Sequence, residues 1–80
     1  MQLLEHINRI RALHYLILIE HTGTPKELAT RFHLCVRQIY NVLDELRELG
    51  AEIRYDHERR TYYYKQPFKL EITINMSQKK

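Results

Sequence analysis

From residue 3 to residue 20 apolar side chains return every three or four positions, as Leu3, Ile7, Ile10, Leu13 and Ile17. That period places them along one face and predicts a helix. A second stripe of Leu4, Ala12, Tyr15 and Ile19 lies roughly opposite, so this helix offers apolar surface on two sides. His21-Thr22-Gly23 ends it. Thr24 then has the side chain of a helix cap, Pro25 suits a first helical position, and Glu27 stands where a capping box needs an acceptor. A short helix follows to about Phe32, with Leu28, Ala29 and Phe32 facing inward. After a break at His33-Leu34, a longer helix is predicted over residues 36–49. Its inner stripe is Ile39, Val42, Leu43, Leu46 and Leu49, and Gly50 is its stop.

Beyond Gly50 the period changes from helical to alternating. Residues 52–56 and 61–65 read as two strands rich in β-formers, joined by the charged turn His57-Glu58-Arg59-Arg60. Alternate tyrosines among Tyr55, Tyr62, Tyr63 and Tyr64 are expected to pack on the core. After Pro67, Leu70, Ile72, Ile74 and Met76 alternate with polar residues, which predicts a half-buried strand over 68–76 and a frayed tail behind it. The expected fold class is therefore α+β: three helices, a hairpin and an extra C-terminal strand. The division is a domain over 1–67 and a C-terminal strand and tail over 68–80, a candidate dimerisation element.

At 80 residues, 44% hydrophobic and 29% charged, the composition is that of one globular domain. A chain of this size has little room for a buried substrate cavity, and no Ser/His/Asp set or carboxylate pair converges, so no enzyme and no small-molecule substrate are expected. His33 and Cys35 are the closest pair of metal-ligand types, with no second pair at zinc spacing; no metal and no cofactor are expected. The single cysteine and the lack of a signal-peptide core or membrane-length apolar run point to a cytoplasmic protein. Thirteen Lys and Arg against ten acids give a formal charge of +3, which permits a polyanionic partner without requiring one.

The placement of polar residues favours such a partner. A short helix, a tight break and a longer helix, followed at once by a hairpin, can present one helix to the major groove, which admits a single α-helix. The outer side of the longer helix carries Val36, Arg37, Gln38, Tyr40 and Asn41 near its start. Arg, Gln and Asn are the side chains suited to paired hydrogen bonds with guanine or adenine edges.

The run TPKELATRFHLCVRQIYNVLDELRELGAEIRYD resembles the winged helix-turn-helix at the N-terminus of DeoR-type repressors and WYL-domain regulators. The resemblance covers about residues 3–64 and is carried by KELATRF, IYNVLDELRELG and the I-x-Y-D of Ile53 to Asp56. It implies that the small residue Ala29 lets the two helices cross closely, that Ile39 and Val42 lock them, and that Cys35, Val36, Arg37, Tyr40 and Asn41 read DNA. The chain departs from the family pattern at His33, where a turn glycine is usual, at Cys35, where serine is frequent, and in a wing turn without glycine. Beyond Lys65, where family members continue into a sensor domain, the resemblance ends.

The resulting expectation is a transcriptional regulator that binds double-stranded DNA as a homodimer, with the helix over 36–49 in the major groove and Arg59 and Arg60 of the wing on phosphates. The alternative from another class is a winged-helix protein–protein interaction module in a larger assembly. Asp44, Glu45 and Glu48, further along the reading helix, favour that alternative because they would repel phosphate.

Overall fold

The structure, a computed structural model, describes residues 2–70. The elements are α1 (Gln2–Leu18), α2 (Pro25–Phe32), α3 (Val36–Glu48), β1 (Ile53–Asp56) and β2 (Thr61–Tyr64). The two strands form an antiparallel hairpin with Ile53 opposite Tyr64 and Tyr55 opposite Tyr62. The molecule is thus a small α+β domain of three helices and a two-stranded hairpin.

Local chemistry accounts for each boundary. Thr24 caps α2: its hydroxyl accepts from Glu27 N at 3.2 Å, and the Glu27 carboxylate accepts from Thr24 N at 2.8 Å. Two of the helix's unpaired amides are satisfied this way. All three helices stop on one device, in which a left-handed residue turns the chain and two amides close back on the last turn. For α1 the left-handed residue is Glu20 (φ 59°), with Glu20 N on Ile17 O at 3.0 Å and His21 N on Leu16 O at 2.9 Å. For α2 it is His33 (φ 58°), with His33 N on Thr30 O at 3.2 Å and Leu34 N on Ala29 O at 2.8 Å. For α3 it is Gly50 (φ 109°), with Gly50 N on Arg47 O at 2.9 Å and Ala51 N on Leu46 O at 3.2 Å.

One core joins the elements. Ile10, Leu13 and Ile17 of α1 meet Leu28 and Ala29 of α2, and Ile39, Val42, Leu43 and Leu46 of α3; Ala51, Ile53 and Tyr62 close it from the hairpin side. Leu13, Ile17, Leu28, Ile39 and Leu46 are completely buried. At about 1.5–3 kcal/mol for each such side chain, this cluster is what opposes the chain entropy. A buried polar clip ties the loop after α1 to β2. Tyr62 N donates to Thr22 Oγ1 at 2.8 Å and Thr22 N to Thr61 Oγ1 at 3.2 Å.

Several expectations are corrected. α1 ends at Leu18, two residues early, because Glu20 turns left-handed. Leu3, assigned to the inner stripe, is 64% exposed; it lies at the helix end, beyond the body it would have to touch. Leu49 is also exposed, since α3 ends at Glu48 and the turn lifts the next residue off the core. The strands are 53–56 and 61–64, one residue shorter than expected on their outer ends. Phe68, Lys69 and Leu70 take no regular structure, while Phe68 and Leu70 pack against the core cluster. The rest of the expected strand over 68–76 lies outside the described residues.

Candidate nucleic-acid interface

The α3 helix is anchored on one side and open on the other. Its buried stripe of Ile39, Val42, Leu43 and Leu46 holds it on the core, while Arg37 and Gln38 before these anchors and Tyr40, Asn41 and Asp44 between them are exposed. Tight seating on α2 leaves the exposed residues on a fixed frame. Arg37 and Asn41 are four residues apart, one turn, and so share a face. Tyr40 is 48% exposed despite its size.

Three of the expected reading residues take more specific places. Cys35 precedes the helix as its extended N-cap and is exposed. Gln38 turns back on it, its Oε1 accepting from Cys35 N at 3.0 Å. An amide oxygen thus supplies half of a capping box where the thiol is a poor cap. Val36, expected to face outward, is half-buried and packed against the core; it contributes to seating the helix start more than to an open surface.

The acidic second half of α3 is less free than its sequence suggests. Asp44 pairs with Arg47 at 3.1 Å, and Glu45 accepts from His6 Nε2 of α1 at 3.0 Å. Arg47 also donates to the Ile53 carbonyl at 3.3 Å, joining the end of α3 to β1. Beside these, a groove of about 260 Å³ between α1 and α3 is lined by His6, Arg9, Gln38, Asn41 and Glu45. Arg9 brings a cation next to the Asn41 edge of α3, a neighbour that no local sequence spacing could have revealed.

On the hairpin, Tyr55 stacks edge-on to both Tyr62 and His57, at centroid distances of 4.8 Å. Burial pushes the Tyr62 phenol up to about 12, with smaller contributions from the phenols of Tyr40 and Tyr55. Tyr55 and Tyr62 thus form a cross-strand aromatic pair on the hairpin. Tyr64 points the other way, to α1, and shares a 2.6 Å hydrogen bond with His14 Nδ1; Phe68 stacks against both rings. Burial lowers the His14 pKa and raises that of Tyr64.

At the hairpin tip, Arg60 is exposed and left-handed (φ 56°). Its neighbour Arg59 instead reaches Asp56 Oδ2 at 2.9 Å and Glu20 Oε1 at 2.6 Å. Those carboxylates hold the Arg59 pKa above its ordinary value, and the hydrogen bond from the Arg59 guanidinium in turn holds the Asp56 carboxyl below its own.

No family model, curated relative or solved structure matches this chain. Among the described residues, no helix is long and apolar enough to cross a membrane, and no three His, Cys, Asp or Glu side chains gather as metal ligands.

Proposed function

We propose that this domain is a winged helix-turn-helix that binds double-stranded DNA and regulates transcription, in the manner of the DeoR-type and WYL-domain regulators its sequence resembles. The observation that carries the reading is the division of α3 into a buried anchoring stripe and an open face bearing Arg37, Tyr40 and Asn41. A helix held in this way can enter the major groove as a rigid probe, with the hairpin as a wing beside it. Arg37 reaches a base edge, and its planar fork suits guanine O6 and N7 in a way a lysine cannot match. Asn41, one turn on, takes an adenine edge or a phosphate. The pairing of Asp44 with Arg47 supports the reading, because it reduces the repulsion that this acid would otherwise exert. Two-fold pairing of the domain, with reading helices about 34 Å apart to match one DNA turn, completes the proposal.

The test is affinity for duplex DNA against salt, for the wild type and for Arg37→Ala, on a site selected from random sequence and on a scrambled one. Wild-type binding should fall steeply with salt as counterions are retained on the DNA. Arg37→Ala should cost about 1–3 kcal/mol per half-site and relax preference at one base position. Circular dichroism should show an unchanged fold, since the side chain is exposed. If Arg37→Ala binds both DNAs like the wild type, α3 does not read DNA, and the same surface is better assigned to a protein partner.

A further inference from the structure

The two arginines of the hairpin tip are neighbours in sequence and differ in everything else. Asp56 builds the turn: its Oδ1 accepts from Glu58 N at 2.9 Å and Arg59 N at 3.2 Å, and its carbonyl accepts from Arg60 N at 2.7 Å. Its other carboxylate oxygen holds the Arg59 Nε. Through its terminal nitrogen the same guanidinium extends to Glu20, which is 39 residues earlier and forms the left-handed end of α1. Arg59 is therefore the tie between the hairpin turn and the first helix. The residues on either side of that tie, Glu20 and Arg60, both occupy the left-handed region that L-residues seldom enter. Such conformations persist where surrounding contacts over-determine them. The Thr22–Thr61 clip lies two residues along each strand of chain from the tie and fastens the same junction.

Charge separates the two arginines further. Arg59 sits between two carboxylates, so a phosphate arriving there would be a third anion around one cation. Arg60 makes no ion pair among the described residues and is exposed. We infer that Arg59 is a positioning residue that latches the hairpin turn to the end of α1, and that phosphate contact at this turn belongs to Arg60 alone. The assignment of Arg60 rests on the DNA reading above; the latch does not.

Three variants of the full chain, Arg59→Ala, Glu20→Gln and Arg60→Ala, separate the parts. Amide hydrogen exchange reads the latch without DNA, at Arg60 N and Tyr62 N, with buried α3 amides such as Leu43 as the internal control. Arg59→Ala and Glu20→Gln should each speed exchange at the hairpin amides about two- to five-fold, the range that exposed ion pairs support, and leave α3 unchanged. Arg60→Ala should leave all of these alone. On generic duplex DNA, Arg60→Ala should reduce the log–log salt slope by up to about 0.9 per chain, and Arg59→Ala should keep the wild-type slope. A slope that falls as far for Arg59→Ala as for Arg60→Ala overturns the division of roles. Unchanged hairpin exchange in both latch variants overturns the latch. A wild type whose binding shows no salt dependence removes the DNA reading and the Arg60 assignment with it, while the exchange result still decides the latch.

Discussion

Replacing Thr22 by Val keeps the shape of the side chain and removes one hydroxyl from the most enclosed polar site of the fold. Thr22 and Thr61 are each 2% exposed. The Thr22 hydroxyl donates to the Gly23 carbonyl at 2.9 Å and accepts from Tyr62 N at 2.8 Å; the Thr61 hydroxyl donates to the Tyr62 carbonyl at 3.0 Å and accepts from Thr22 N at 3.2 Å. Each hydroxyl has one hydrogen, and a carbonyl holds it in both cases. The 3.2 Å approach of the two oxygens is therefore a packing contact more than a bond. What Thr22→Val removes is the partner of the buried Tyr62 amide.

A buried donor left without a partner costs about 1–3 kcal/mol, and little offsets it because the added methyl meets polar atoms. For a domain of this size each kcal/mol lowers Tm by roughly 4–8 °C. Thr22→Val should thus melt about 5–20 °C below the wild type and shift the urea midpoint with an unchanged slope. The control is Thr30→Val: Thr30 is exposed and its hydroxyl only back-bonds to the Lys26 carbonyl, so its effect should stay within about 0.5 kcal/mol. Equal melting temperatures for Thr22→Val and wild type would refute the claim that the clip fastens α1 to the hairpin.

His14 gives a pH dependence: its folded pKa lies below 6.5, so the unfolded chain binds its proton first, and stability present above pH 6.5 should be lost as pH falls through the folded value. Denaturation midpoints between pH 7 and 5 should show this slope, reduced in His14→Gln. His33→Val should be less stable than His33→Gly by about 1–2 kcal/mol in the same assay, because a β-branched residue resists the left-handed turn that glycine enters freely. Gly23→Ala should destabilise as well, since Gly23 has φ 75° and a methyl there collides with the Glu27 carboxylate that caps α2. Tyr15, Leu18 and Ile19 at the end of α1 remain 60%, 55% and 41% exposed; if two chains pair there, light scattering should give twice the chain mass for the wild type and a single mass for Tyr15→Lys/Leu18→Lys.

Helix positions and most of the core were legible in the sequence because burial follows a period, and a period survives without knowledge of neighbours. Ile10, Leu13, Ile17, Leu28, Ile39, Val42, Leu43 and Leu46 are buried as their spacing requires. The α2 cap was equally legible, since Thr24, Pro25 and Glu27 act within one turn of chain. Periodicity failed at the ends. Leu3 and Leu49 keep the phase of their stripes but lie where a helix runs out past its neighbours. The left-handed stop of α3 is announced by Gly50 and that of α2 by a histidine in an expected turn, whereas Glu20 carries no such signal. Its conformation comes from bonds to Leu16 and Ile17 carbonyls and from Arg59, the last of which lies far along the chain.

The same distinction governs the candidate interface. The open face of α3 was visible as Arg37, Tyr40 and Asn41 because a single helix presents it. What each charge is free to do was not visible, because freedom depends on partners from other elements. Glu45 is engaged by His6 across 39 residues, and Arg59 by Glu20 across the same interval. One long-range pair fixes an acid of α3 against α1, and the other ties a hairpin arginine back to the end of α1. Counting charges along the chain gives +3 and two adjacent wing cations. The fold redistributes them, tying Arg47 and Arg59 into the frame while Arg37 on α3 and Arg60 on the hairpin tip stay exposed and outside the ion pairs, as do Arg11, Arg31 and Arg54 elsewhere on the described surface. On the proposed DNA reading, contacts from such cations to phosphate position the domain without carrying sequence information, so selectivity has to come from what the α3 side chains match at the groove edge.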